Sequence, residues 1–161
     1  MTTTSSIPAF KAALKARLLA DAGLAGVQIV RVDPFPTRPA NEHVVISQAR
    51  ARDVFRNSQF GGGQKSATIG RLAREERYVV DVVCRVLSST QVTAEAIEER
   101  AYELAAAVQS SVDAWALERP QFDGLVRHAH VDSTEDWFSN DDKKREARVT
   151  IGIAVQTRIN L

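Results

Sequence analysis

Apolar and polar positions along the chain alternate in two rhythms, and the switches between them mark out seven segments. Ile7, Phe10, Leu14 and Leu18 recur at helical spacing. Ser6 stands at the N-cap position, Pro8 lies in the first turn where proline is tolerated, and Gly23 is a stop, so the spacing predicts a helix from about Ile7 to Ala22. Val27 to Val32 is a short β-rich run closed by Asp33-Pro34 and by the stretch from Pro36 to Pro39, prolines that remove ladder donors and enforce a loop. From Glu42 the chain reads as extended through Val44, Val45 and Ile46 toward Arg56, meets Gly61, Gly62 and Gly63, and resumes from Thr68 to Leu87. This pattern predicts one very long hairpin.

The second half carries the clearer periodicity. In the strand Tyr78 to Leu87 one face holds Tyr78, Val80, Val82, Cys84 and Val86, while the other mixes Val79, Val83 and Leu87 with Asp81 and Arg85. The first face is expected in the core and the second at least partly covered. A helix is predicted from Thr93, a natural N-cap, with Glu95 in its first turn; it cannot pass Pro120. Ile97, Ala101, Leu104, Val108, Val112 and Trp115 form a narrow apolar stripe along it, with Glu95, Glu99, Glu103 and Asp113 opposite, so this helix is expected to lie across a sheet. A strand from Leu125 to Phe138 follows. The last strand, Ala147 to Ile159, places Val149, Ile151, Ile153, Val155 and Ile159 on one face and Arg148, Thr150, Gln156 and Arg158 on the other, which reads as antiparallel with one wet face. The fold class is therefore α+β in the order αβββαββ: a mixed or antiparallel sheet, one long helix packed across it and an N-terminal helix.

Composition adds limits. A chain of 161 residues fits one domain, and 44% apolar with 25% charged residues is ordinary for a globular protein. A formal net charge of +1 provides no global attraction to nucleic acid or anionic lipid. Cys84 is the only cysteine, which excludes an intrachain disulfide and a cysteine-cluster metal site. Met1 to Ser6 shows no signal-peptide pattern, and no apolar run approaches the roughly 20 residues of a membrane helix, so a soluble protein without an export signal or membrane partner is expected.

Catalytic machinery is not legible. The run Gly61 to Ser66, GGGQKS, has Gln64 before Lys65 where a Walker A loop has glycine, and no helix follows it. His128, His130 and Asp132 fall at i, i+2 and i+4, which on a regular strand shares one face and gives a loose metal-ligand set; the plainer reading is a solvent-facing polar row. His43 reads as a strand-start residue. Adjacent Glu75 and Glu76 point to opposite faces and so cannot form an acid/base pair, and these, like Asp141 and Asp142 ahead of Lys143, Lys144 and Arg145, are most simply solvated charges. Ser110 and Ser111 have no histidine at helical spacing to activate them. No enzyme, cofactor or metal site is expected.

What stands out is the long hairpin. Thr68 to Leu87 fully extended spans roughly 65 Å, against a radius of gyration of about 15 Å for a compact chain of this size, so part of it must bend, break or project. Residues 49–77, expected as a projecting arm on a single domain 1–161, hold seven basic side chains against three acidic ones, a local charge of +4 that leaves the rest at −3. Apolar Val54, Phe55, Phe60, Ile69 and Leu72 lie among them. Arg50, Arg52, Phe55, Arg56, Phe60, Lys65, Arg71 and Arg74 are the candidate subunit or partner interface, since arginine and phenylalanine together suit buried interface anchors. A plain solvated loop and a nucleic-acid contact resting on phosphate attraction are the alternatives.

The run from Tyr78 to Ile159, with "YVVDVVCRVLSS", "TAEAIEERAYELAAAVQSSV", "FDGLVRHAHV" and "REARVTIGIAVQTRI", resembles the tail terminator (tail completion) proteins of long non-contractile-tailed phages. The first helix and "VQIVRVDPFP" fit the same pattern, and the segment from Asn57 to Ala67 matches it least. The resemblance implies a structural virion protein, a homo-oligomeric ring commonly of six subunits that caps the tail tube, terminates tail growth and joins tail to head. Its implied partners are further copies of itself, the tail tube protein and a head completion or connector protein, with genomic DNA passing through the ring unspecifically. The implied location is the head-proximal end of the tail, after assembly in the bacterial host cytoplasm. A head-tail connector or neck protein, and a nucleic-acid-binding module using the basic arm, are the alternative functions.

Overall fold

A computed structural model describes residues 5–31, 41–53, 73–88, 92–119, 121–140 and 144–160. Helix α1 (Ile7–Ala20) leads through a 3-10 turn, Ala22–Leu24, into strand β1 (Gln28–Arg31). Strands β2 (Glu42–Asp53) and β3 (Ala73–Ser88), helix α2 (Ala94–Glu118) and strands β4 (His128–Asn140) and β5 (Arg145–Asn160) follow, so the order αβββαββ and the α+β class are as expected. The connector at Asp33 to Pro39, the glycine-rich tip at Gly61 to Gly63 and the turn residues Asp141 to Lys143 lie outside the described residues.

The five strands form one sheet in the order β1-β2-β3-β5-β4. β1 runs parallel to β2, in register from Gln28↔His43 to Arg31↔Ile46, and every other pair is antiparallel. β5 is inserted between β3 and β4 and paired with both along its length, from Ser88↔Arg145 to Ala73↔Asn160 on one side and from Asn140↔Arg145 to His128↔Gln156 on the other.

Both helices pack on one face. α2 crosses β3, β5 and β4, while α1 lies over β1 and β2 and against α2. The expected stripe is the buried one: Ile97, Ala101, Leu104, Val108, Val112 and Trp115 are all within the core, as are Tyr78, Val80, Val82, Cys84 and Val86 of β3 and Val149, Ile151, Ile153 and Val155 of β5. α2 starts where the sequence places it, because the Thr93 hydroxyl accepts a hydrogen bond from the Ala96 amide at 3.3 Å and meets one of the first-turn donors that has no intrahelical partner. Cys84 is fully buried, and burial pushes its thiol pKa up to about 12. A thiol reagent at neutral pH is therefore expected to leave the native protein unmodified and to label Cys84 once denaturant is added; rapid labelling of native protein would contradict this packing.

Two departures from the sequence reading matter for the core. The strand expected from Leu125 begins only at His128, because the chain first makes a left-handed turn in which Gln121, Phe122, Asp123 and Gly124 all have positive φ, between 50° and 79°. Left-handed backbone costs about 1–2 kcal/mol per non-glycine residue, and the turn offsets it by driving Phe122 into the core. There Phe122 meets the Trp115 ring edge-on at 4.9 Å, Trp115 stacks on Phe10 at 5.9 Å, and the indole N–H donates to Asp123 Oδ2 at 3.2 Å. Glu76 is the second. It is buried rather than solvated, and its carboxylate accepts from the Ser5 hydroxyl at 2.6 Å and from the Ser6 amide and hydroxyl at 3.0 and 2.9 Å. The start of α1 is thus satisfied by a carboxylate seventy positions away, while the Ser6 side chain turns to Glu76 and Tyr78 instead of capping its own helix.

Candidate assembly surfaces

The sheet face opposite the helices is covered by no described element. Near the Arg145 end of β5 it carries a charged row: Arg85 and Arg148 stand directly opposite each other on β3 and β5, an arrangement that repels unless something lies between them. Glu146, on the same face as Arg148 two residues away, accepts from both guanidiniums, at 2.5 Å from Arg148 Nε, and Arg148 also lies over the Trp137 ring of β4, 4.6 Å from its centroid. Burial by itself raises the Glu146 pKa, but the two arginines outweigh it and hold the carboxyl below the ordinary glutamate value of 4.5. The fold thus prefers the carboxylate. Its contribution is fully present above about pH 4.5 and is lost as pH falls through the lower native value. Thermal midpoints measured from pH 7 to pH 3 are expected to drop more steeply below pH 4.5 for the original chain than for Glu146→Gln; parallel curves would show that Glu146 is not coupled to folding.

Of the residues expected at an interface, Arg50 lies on this open face of β2, beside Gln48, Asp81, Ser133, Glu135 and Thr150, and donates to Asp81 Oδ1 at 2.9 Å. Arg52 and Arg74 fall within β2 and β3. Phe55, Arg56, Phe60, Lys65 and Arg71 lie outside the described residues. The roots of the expected arm belong to the sheet: Arg77 pairs with Asp53 and Gln156, and β3 is in register with β5 as far as Ala73.

The His128, His130 and Asp132 set does not converge as a regular strand predicts. Val131 pairs with Ile153 and Ser133 with Gly152, so Asp132 is the extra residue of a β-bulge and drops out of the alternation. The two imidazole rings lie 5.2 Å apart and His130 Nε2 is 3.9 Å from Asp132 Oδ1; among the described residues no group of three such side chains is placed to hold a metal ion. His43 is fully buried in β2, and Glu75, on the open face, is paired with Arg77. Ser111 is packed in the core side of α2 while Ser110 is exposed.

The bulge has a further effect, which the sequence pattern concealed. Beyond it Thr134, Asp136 and Phe138, not their odd-numbered neighbours, share the helix side of the sheet, opposite Ile151, Val149 and Ala147. Here α2 no longer covers them. Phe138, Val92 and Tyr102 are each about two-fifths exposed, and the Tyr102 hydroxyl donates to Asp136 Oδ2 at 2.9 Å. Beside them Glu95, Glu98, Glu99, Tyr102, Glu103 and Ala106 line a shallow depression along the outer side of α2. α2 carries six acidic side chains against the single Arg100, and that arginine is held by Glu42, through two bonds of 2.9 and 3.0 Å, and by Glu103. Four of the six, Glu95, Glu98, Glu99 and Glu103, line the depression.

No protein-family model matches the chain, and no curated protein matches it in sequence. Among solved structures, a chain from the virion of a native gene transfer agent particle superposes with a TM-score of 0.50 at 17% identity, over 96% of this chain and 99% of that one. A second solved chain aligns over 97% of each at 17% identity, with a TM-score of 0.46. At this level of identity the likeness is one of fold.

Proposed function

We propose that this chain is a structural component of a phage-type virion. Identical copies close into a ring, of six subunits on the family resemblance, that caps the tail tube, ends its growth and presents a surface to the proteins that complete the head. The observation that carries this reading is the extent of the fold likeness: the superposition covers 96% of this chain and 99% of a chain from a gene transfer agent virion. The order of elements also fits the terminator-like pattern of the second half. Its role is assembly, and the chemistry required of it is surface complementarity between copies and with the tube and head proteins.

A closed ring of identical subunits uses head-to-tail contacts, in which one patch meets a different patch on the next copy. Negative-stain imaging and light scattering of the purified protein, alone and with tail tubes of its own virion, test the proposal. Closed rings with six-fold symmetry, free or seated on tube ends, are the expected result. A protein that stays strictly monomeric at high concentration and low salt, and also fails to bind tubes, sinks it.

A further inference from the structure

We propose that the exposed corner between the N-terminal half of α2 and the outer half of β4 is the docking surface for a second copy of this chain, which enters it with its basic segment 49–77. The inference rests on the ring reading above and names the surfaces that would close it.

The corner has two independent features of an interface. Tyr102, Phe138 and Val92 are large side chains about two-fifths exposed at one place, and Tyr102 is fixed there by Asp136. Phe138 belongs to β4, one of the two edge strands of the sheet, whose residues from Ser133 to Phe138 are exposed on both faces. Along α2 beside Tyr102 runs an acidic rim of Glu95, Glu98, Glu99 and Glu103; among the described residues no cation is paired with the first three, and Arg145 donates to the Val92 carbonyl. An aromatic centre with a charged rim is the usual anatomy of a protein interface.

Charge selects the occupant. Residues 49–77 carry +4 and contain their own aromatic side chains, Phe55 and Phe60, so they complement the corner both in charge and in apolar content. Within one copy the strand ends that flank the basic segment lie far from the corner. Asp136 and Phe138 lie level, through β5, with Cys84 and Val86, whereas the basic segment leaves the sheet at Asp53 and re-enters it at Ala73. Ala73 and Val86 are separated by about 40 Å along β3, at about 3.3 Å per residue. The acidic rim and the roots of the basic segment therefore stand toward opposite ends of the strands. Such a polarity is satisfied by placing copies head to tail.

Two variants test this, each checked for native circular dichroism. In the first, Glu95→Lys, Glu98→Lys and Glu99→Lys together take the rim from −4 to +2; in the second, Arg52→Glu, Arg56→Glu and Arg71→Glu together take the segment from +4 to −2. Each alone is expected to self-associate about tenfold more weakly or worse than the original chain by sedimentation, since like charges face each other across every contact. An equimolar mixture of the two is expected to recover association, because each variant supplies the surface the other now fits, and an alternating ring of six closes. If the rim variant associates as tightly as the original, the docking surface is wrong while a ring closed through another face stands. A mixture that remains monomeric overturns the pairing between copies. An original chain that never associates, alone or on tubes, defeats both proposals together.

Discussion

Leu104→Asp is expected to leave no cooperatively folded protein. Leu104 is fully buried at the middle of α2, between Ala101 and Val108 on the stripe that lies over β3, β5 and β4. The substitution removes about 1.5–3 kcal/mol of apolar burial and puts a carboxylate where nothing can pair with it, a further cost of several kcal/mol. The sum is comparable with the whole stability of a domain this size, about 5–15 kcal/mol. Leu117→Asp is the control: Leu117 is on the same helix but 86% exposed, so the change should stay within about 0.5 kcal/mol. Thermal melts followed at 222 nm compare them. A Leu104→Asp protein that melted cooperatively within a few degrees of the original would show that α2 is not the element that seals the sheet.

Trp115→Ala is expected to cost about 3–5 kcal/mol, the usual range for deleting a buried aromatic ring. Trp115 is the hub of a cluster that ties α1 (Phe10), β3 (Tyr78, against Phe10) and the left-handed turn (Phe122) to the end of α2. Its loss also takes away the indole hydrogen bond to Asp123, one of the contacts that hold the turn against its backbone cost. Trp115→Phe keeps one aromatic ring but loses that bond and the volume of the indole's second ring, so a smaller cost of about 1–3 kcal/mol is expected. The chain has two tryptophans, and the survivor, Trp137, is half exposed, so emission from the variant should be dominated by a solvent-facing indole even when folded. Urea titrations give both costs. A loss below about 1 kcal/mol for Trp115→Ala would mean that the turn and α1 are held by other contacts.

Much of this was legible in the sequence, for a physical reason. Where one face of an element is packed and the other is not, burial writes its period into the residue order, and the stripe from Ile97 to Trp115 and the alternation of β3 and β5 are read directly. Features that depend on distant pairing leave no such trace. Nothing near Glu76 distinguishes it from Glu75; only its placement against Ser5 and Ser6, some seventy residues earlier, makes it a buried helix-end ligand. The bulge at Asp132 reversed the faces of β4 with no glycine on β4 itself to announce it; the mark is on the partner strand, at Gly152, where a Cβ would collide with Ser133 Oγ, and the bulge both took Asp132 out of the row of His128 and His130 and brought Asp136 to Tyr102. The left-handed turn was hidden for a similar reason, since three of its four residues are not glycine and the conformation is imposed by Phe122 and Trp115 from within the core. The basic segment was visible as charge. Its acidic counterpart became visible only when α2 and β4 were seen to meet.

The central place of β5 sets a timetable. Its partners in β3 are 57 residues away at Ser88↔Arg145 and 87 at Ala73↔Asn160, and β4 joins the sheet through β5 alone. Contacts that far apart in sequence have to meet the loop-closure entropy before they contribute, which makes the search slow. A ribosome making this chain therefore delivers β3, α2 and β4 before the strand that joins them. Until β5 threads in, the acidic corner has no fixed shape, and a neighbouring copy has no finished surface to grasp.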